Sequence, residues 1–424
     1  MKVLVLTLNA WNSTNSTGNT ISNLFSGMSE NDEVANLYCR DESIDNSICE
    51  RYFRITERDI LLNLFTPWRC GEFVKKNTNK TTISNKTMER SKAVVTFGRK
   101  YTILLLLREL LWTIPVWKNN RLNKYLKDFA PDFIYMHGHY NLYMHKILSY
   151  CAKVTNAKIV LFWGDDMYGR KSYKPLDFFY QSLLRKRFTK SIKSAKLLFG
   201  GSIKLCEEYS DIFRKPFVPF FKECKYLCYD PDKKVGNPIS IVYAGNLLFG
   251  REKMIIELVK SLSRINKKHL SYHYSLSIYS NSSPSKELFH QLNNSSGCVF
   301  MGCKPYSEIC KAMDKSDLAL FIESFDKRSI LSTRLSFSTK IIDCMQSTAG
   351  ILAIGPKEIA SIDYILKNGL GYTITSIDDI ETKMAYLAEH SGVINLMNKK
   401  KVDFAKKYHT NTSAKALAEI RRLK

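Results

Sequence analysis

SFSTKIIDCMQSTAGILAIGP, residues Ser336–Pro356, is the stretch on which the fold turns. It reads as a loop, a short helix, a turn and a buried strand. Ile341, Ile342 and Met345 recur at helical spacing, whereas Ile351–Ile354 is a continuous apolar run too short for a helix. Ser338 or Thr339 stands where a helix N-cap belongs. Backbone N–H groups and the helix dipole at such an end attract an anion. Lys340 adds a positive charge there. Asp343, about one turn on, is placed to accept hydrogen bonds from a ribose diol. An ordinary capped helix with a solvated Lys and Asp would show the same pattern.

The alternation extends in both directions. Upstream lie strand-like Ser240–Ala244, Tyr274–Tyr279, Val299–Met301 and Leu318–Ile322, with helical Glu252–Asn266 and Tyr306–Met313 between them. Downstream, Ile377–His390, Val393–Tyr408 and Ser413–Leu423 read as closing helices. The first half repeats the scheme, with strands at Val3–Leu8, Val34–Cys39, Tyr52–Ile55, Phe133–Met136, Lys158–Trp163 and Lys196–Gly200. Helices are expected at Thr20–Met28 and from Leu142 to about Val154. Strand–helix alternation predicts an α/β protein with parallel sheets, and such sheets bind ligands at the carboxyl ends of their strands. Residues 215–239 contain four prolines, a charge cluster and no period. They divide the chain into an N-terminal Rossmann-like domain at 1–214, a linker at 215–239 and a C-terminal Rossmann-like domain at 240–400. A final segment at 401–424 is expected to pack back on the N-terminal domain. At 424 residues, 45% of them hydrophobic, the chain is long enough for two cores.

The net charge is +24, from 64 Lys+Arg against 40 Asp+Glu. That field suits a polyanion: nucleic acid, an anionic lipid surface or a phosphorylated small molecule. Without an aromatic–basic stacking module, nucleic acid is not expected as a partner. The apolar run at Val3–Leu8 is too short for a signal peptide, and no run is long enough for a transmembrane helix. The eleven cysteines are scattered and odd in number. They read as free thiols in a reducing cytoplasm. Cys224 and Cys228 lack partners for a zinc site, and no metal is expected. The sequons at Asn12, Asn15, Asn79 and Asn85 matter only in a secretory setting.

Lys75–Lys127 holds thirteen Lys+Arg and two acids, Glu89 and Glu109. Within it, Ile103, Leu106, Leu107, Leu110 and Leu111 share a helical face flanked by Trp112 and Trp117. This suits either the interface of an anionic bilayer or a core helix whose Arg108 and Glu109 face water. Asn15–Thr20 joins the first strand to the first helix. Its Gly18, Asn19 and Thr20 offer backbone N–H groups to an acceptor, but a dinucleotide fingerprint is lacking. His137 and His139 follow one strand, and Asp165 and Asp166 follow another. The aspartates could orient a hydroxyl, act as a base, hold a cation or cap a helix.

Beside these residues stand Ile241–Asn246 with Gly250 and Arg251, Val299–Gly302 with Pro305 and Tyr306, and Ser316–Glu323. Together with the Ser338–Asp343 helix, this order resembles GT-B glycosyltransferases, in particular the large retaining family 4 group. The likeness is strong from about 196 to 373. It implies two Rossmann-like domains facing each other across a cleft, the second binding a nucleotide-sugar. Gly245, Asn246 and Arg251 would meet the diphosphate, Gly302 and Tyr306 the base, Ser338, Thr339 and Lys340 the diphosphate again, and Asp343 the ribose. The first domain would hold the acceptor through Gly18, Asn19, Thr20, His137 and His139. That acceptor would be a glycan, or a polyprenyl-diphosphate-linked saccharide of a surface polysaccharide at the inner face of the cytoplasmic membrane. The nucleotide-sugar is a co-substrate, and no cofactor is required. The family's Glu-x7-Glu motif is incomplete, because Leu335 stands eight before Asp343. Glu323 or Asp326 would supply the missing carboxylate, so Asp165, Asp166 and Glu323 are the catalytic candidates. A nucleotide-sugar 2-epimerase of the same fold, a basic nucleic-acid-binding protein and an inactive scaffold are the alternatives.

Overall fold

The computed structural model describes residues 1–13, 15–40, 42–63, 65, 70–75, 102–169, 174–268 and 271–424. They form two compact units. The first comprises Met1–Gly201, Cys206–Phe220 and Ser413–Lys424, and the second Ser202–Leu205 and Phe221–Thr412. The sequons at Asn79 and Asn85 and the basic stretch 76–101 lie outside the described residues. No described helix is long and apolar enough to cross a membrane.

The sheet of the first unit contains β1 (Lys2–Thr7), β2 (Glu33–Tyr38), β3 (Arg51–Arg54), β4 (Glu72–Val74), β5 (Phe133–His137), β6 (Lys158–Trp163), β7 (Leu197–Gly200) and β8 (Val218–Pro219). Their order is β4-β3-β2-β1-β5-β6-β7-β8, and only β4 runs antiparallel to its neighbour. Val3, Leu4, Val5 and Leu6 are all buried because β1 lies mid-sheet with both faces covered. The strand order reverses direction between β1 and β5, which opens a crevice at their carboxyl ends. Leu417 and Ile420 of the last helix, Thr412–Arg421, complete this core beside Val5, Leu24 and Tyr135. Ser413 Oγ donates to Leu24 O at 2.8 Å, and Arg421 pairs with Asp32 at 2.6 Å.

The helix Thr102–Leu111 inverts the expected facing. Glu109 is buried, not solvated, and its carboxylate accepts from the N–H groups of Leu142 and Tyr143 at 2.9 and 2.8 Å. It thereby caps the helix Leu142–Thr155, whose own Asn141 makes no capping bond. Ile103, Leu107 and Leu110 are instead exposed.

The second unit carries β9 (Ile239–Ala244), β10 (Tyr274–Tyr279), β11 (Cys298–Gly302), β12 (Leu318–Ile322), β13 (Gly350–Ile354) and β14 (Tyr372–Ile374). Their order is β11-β10-β9-β12-β13-β14, with every pair parallel. On β12, Leu318, Leu320 and Ile322 enter one core and Ala319 and Phe321 the other. That period of two, with both faces apolar, marks a strand sandwiched between helix layers. The helix Lys340–Gln346 is pinned by the full burial of Ile341, Ile342 and Met345, each contributing about 2 kcal/mol.

The proline-rich stretch is not free-standing. Residues 221–239 belong to the second unit, and 215–220 end the first. Lys233 Nζ donates to the carbonyls of Asp314 and Ser316 at 2.8 and 2.6 Å, and Cys224 N donates to His409 O. Likewise, only Ser413–Lys424 of the closing segment joins the first unit, whereas 401–412 stays with the second.

Candidate functional site

In the second unit the strand order turns at β9 and β12, and the loops leaving β9, β10 and β11 line a cavity of about 340 Å³. Its walls include Gly245, Asn246, Tyr306, Cys310, Lys340 and Asp343. Five of the sequence candidates therefore converge there. The ammonium of Lys340 sits directly against Gly245: a Cβ on that glycine would stand 2.0 Å from Lys340 Nζ and 2.9 Å from Tyr243 OH. Glycine is needed so that the cation can lie against the backbone. Lys340 Nζ also lies 5.6 Å from the centroid of the Tyr243 ring. Burial, then the neighbouring Arg251 charge, push the Lys340 pKa down to about 8.

Arg251 is held in a different way. Its Nη2 and Nε meet Glu323 Oε1 and Oε2 at 2.8 and 3.2 Å, and its Nη1 meets Asn246 Oδ1 at 2.9 Å. Glu323 is buried with both oxygens engaged, so it serves as the counter-ion of Arg251 and does not offer a free carboxylate. This corrects the expectation that it stands in for the missing motif acid. Leu335, the position of that acid, is fully buried, and its carbonyl accepts from Ser202 Oγ at 2.7 Å. Asp326 caps the helix Lys327–Thr333 by accepting from Ser329 N.

Asp343 Oδ1 accepts from Tyr306 OH at 2.9 Å and from Lys222 Nζ at 3.1 Å. Burial, followed by the Asp343 charge, raises the Tyr306 pKa, so its hydroxyl stays protonated as a donor. The expected cap at Ser338 or Thr339 is absent, since neither side chain bonds the helix end. Ser338 N donates to Ser361 Oγ, and the N–H groups of Ile341 and Ile342 turn to the carbonyls of Ser338 and Thr339. At the helix end the N–H groups of Ser338, Ile341 and Ile342 are thus engaged, and Lys340 contributes its ammonium beside them. Gly302 shapes the exit of β11 at φ +72, ahead of Cys303 and Lys304 on the cavity wall.

Two supporting residues gave no sequence signal. Lys222 lies in the stretch read as a linker. Lys401 is fully buried, and its Nζ donates to the carbonyls of Cys344, Ser347 and Ala349 at 3.2, 2.6 and 2.7 Å. It closes the C-terminal end of the helix that carries Lys340 and Asp343, although burial pulls its pKa down to about 7.

In the first unit, a cavity of about 150 Å³ lies at the carboxyl end of β1, lined by Asn9, Trp11, Thr17, Gly18 and His139 among others. Asn9 Oδ1 is buried there with no hydrogen-bond partner among the described residues. The expected open N–H groups are taken. The helix begins at Ser16, Gly18 N donates to Asn15 Oδ1 at 2.8 Å, and Asn19 N donates to Asn15 O. Thr20 Oγ1 turns back to Ser16 O. A side chain at Gly18 would collide with Asn12 O at 1.9 Å. His137 packs on Tyr135 and Phe162, and burial lowers its pKa to about 3, so it is a neutral ring. Asp165 is exposed. Asp166 Oδ1 accepts from Gly169 N at 2.8 Å and from Tyr209 OH at 3.1 Å, which ties it into the turn after β6. Among the described residues, no group of three or more His, Cys, Asp and Glu side chains is gathered to hold a metal ion.

No protein-family model matches the chain, and no curated protein sequence matches it. Solved structures do. Sucrose-phosphate synthase from Thermosynechococcus elongatus is 9% identical, with 100% of this chain and 98% of that chain covered at a TM-score of 0.60. HepE from Anabaena, in complex with UDP, is 12% identical, with 100% and 99% covered at a TM-score of 0.60. The lipopolysaccharide outer core galactosyltransferase WaaB is 13% identical, with 99% and 98% covered at a TM-score of 0.57. At such identities the likeness establishes the fold: this chain has the two-Rossmann-domain GT-B architecture along its whole length.

Proposed function

We propose that the protein is a glycosyltransferase that moves a sugar from a nucleotide-sugar donor to a glycan acceptor. The observation that carries the reading is Lys340: an ammonium with no carboxylate partner among the described residues, seated on Gly245 in the wall of the second-unit cavity. A buried cation without a counter-ion favours an anionic ligand. A diphosphate against Lys340, with its ribose hydroxyls at Asp343 and Tyr306, engages the three polar side chains that meet at that end of the cavity. One of the similar structures is bound to UDP, which makes UDP the natural probe.

In the reaction, the bond from the anomeric carbon to the phosphate oxygen breaks, and the acceptor oxygen bonds to that carbon. The acceptor proton passes to the departing phosphate. Lys340 stabilises the charge growing on the phosphate, and Glu323 holds Arg251 in position near it. Because no free carboxylate stands at the Leu335 position, the retaining outcome rests on the leaving phosphate acting as the base. Asn9 Oδ1, buried and unpaired, calls for a donor, and an acceptor hydroxyl at the β1 cavity supplies one. A saccharide carried on a lipid fits the exposed Ile103, Leu107 and Leu110, which suit the inner face of the cytoplasmic membrane. The free cysteines fit a reducing compartment.

A thermal-shift panel of nucleoside diphosphates and nucleotide-sugars tests the reading, because a site ligand raises stability by mass action. UDP or another diphosphate should stabilise the wild type and fail to stabilise Lys340→Met. No shift with any of them would sink the proposal. Conversion of the sugar nucleotide with no acceptor present would assign the site to a 2-epimerase.

A further inference from the structure

A second cationic cavity lies in the first unit, away from the β1 crevice. It encloses about 650 Å³ and is lined by Trp112, Thr113, Trp117, Lys118, Lys146, Ser149, Tyr150, Lys153, Val154 and Arg187. Its aromatic walls are fixed. Trp112 stacks on Tyr143 at 4.2 Å between ring centroids, Trp117 meets Tyr150 edge-on at 5.3 Å, and Tyr150 OH donates to Asn123 Oδ1 at 2.7 Å. Lys118 Nζ is held over the rings of Trp117 and Tyr150, at 5.2 and 5.6 Å from their centroids. None of Lys118, Lys146, Lys153 and Arg187 is ion-paired among the described residues. The nearest acid in electrostatic terms, Glu109, has both oxygens committed to the N–H groups of Leu142 and Tyr143. Among the described residues, four like charges therefore share one pocket on rigid walls, and none of them is paired directly with a carboxylate. Burial and the Arg187 and Lys118 charges lower the Lys146 pKa despite the attraction of Glu109. An anion would relieve that repulsion.

The segment that enters the pocket indicates which anion. Trp112 and Thr113 directly follow the helix Thr102–Leu111, whose Ile103, Leu107 and Leu110 are 56%, 56% and 64% exposed. The neighbouring helix Glu57–Asn63 exposes Leu61 and Leu62. An apolar surface leading into a basic, Trp-walled pocket matches an amphiphile with a charged head.

We infer that the Lys118–Lys146–Lys153–Arg187 pocket binds a phosphate group, that of a phospholipid headgroup, beside the exposed face of the helix Thr102–Leu111. This deepens the membrane part of the proposed function and is independent of the donor cavity.

The test is vesicle co-sedimentation with the full chain in a Lys340→Met background, so that the donor cavity does not contribute. Vesicles of phosphatidylcholine, with and without phosphatidic acid, are compared with inorganic pyrophosphate as a soluble probe. The variant is Lys146→Gln with Arg187→Gln. The charge-matched control is Lys399→Gln with Lys400→Gln on the second unit, and thermal melts establish that each variant folds. Binding to phosphatidic acid vesicles should fall about tenfold or more in the pocket variant and change less than about twofold in the control. Pyrophosphate binding that depends on the pocket, without vesicle binding, would keep the phosphate site and assign it to a soluble ligand. Equal vesicle binding by the background protein and the pocket variant would overturn the pocket while leaving membrane association standing. Binding to neither probe would overturn both.

Discussion

Replacing Lys340 by methionine removes one charge from the donor cavity and keeps most of the side chain's volume. An ammonium about 4 Å from a phosphate oxygen, at an effective dielectric of about 20, is worth about 4 kcal/mol before water and salt reduce it. Half of that survives as a working figure, so UDP affinity should fall about 30-fold. The pKa near 8 sharpens the expectation. A bound diphosphate favours the charged amine and raises that pKa, so binding takes up a proton. Affinity is then full below pH 8 and declines as pH rises through it. With a pKa of about 8, the protonated fraction drops about 25-fold between pH 7.5 and 9.5. The diphosphate is almost fully ionised over this window, and ADP, whose base does not ionise there, is titrated beside UDP so that uracil adds no slope. Titration calorimetry with UDP in buffers of different ionisation enthalpy reads both the affinity and the proton uptake. The methionine variant should bind weakly with a flat profile. A wild type whose affinity is constant across the window, or a variant that keeps the slope, would refute the assignment of Lys340 to the phosphate.

Gly245→Ala places a methyl 2.0 Å from Lys340 Nζ, a flexible chain end, so it should evict the amine more than it disturbs the backbone. UDP affinity is expected to fall about tenfold with stability changed by less than about 1 kcal/mol, measured by calorimetry and urea unfolding. Glu109→Ala strips two N–H groups at a helix start of their acceptors and should destabilise the protein by about 3 kcal/mol, with Glu109→Gln near 1 kcal/mol. An alanine variant as stable as wild type in chemical denaturation would contradict the cap. Lys401→Met removes a donor from three buried carbonyls, of which Cys344 O keeps Ser347 Oγ, and should lower stability by about 2–4 kcal/mol. Unchanged urea midpoints would refute that role.

The strands were readable because central parallel strands are apolar on both faces. Lys158–Trp163 and Leu318–Ile322 occupy the expected bounds on that ground, whereas Tyr274–Tyr279 does so by alternation, with Tyr274, Leu276 and Ile278 buried and Ser275 and Ser277 between them. Lys340 and Asp343 were readable from the helix they occupy, and Gly245 and Tyr306 through the family resemblance; all four line one cavity. The 20-residue helix Pro175–Ser194 escaped notice because Arg185, Lys186, Arg187 and Lys190 break its apolar stripe, and only Tyr180, Leu184, Phe188 and Ile192 pack inward. Glu109 was misread for a different reason. Local periodicity assigns a carboxylate to water, whereas this one is recruited across 33 residues by an uncapped helix. Lys222 and Lys401 act through partners 121 and more than 50 residues away, a separation no spacing rule spans.

The route of the chain bears on how the protein is made. Leu417, Ile420 and the Arg421–Asp32 pair belong to the first unit, yet they are synthesised only after the whole of the second unit. The second unit can therefore close during synthesis while the first waits for Ser413–Lys424. Translational arrest or clipping near residue 412 would leave a finished amino-terminal sheet with one face of its core uncovered.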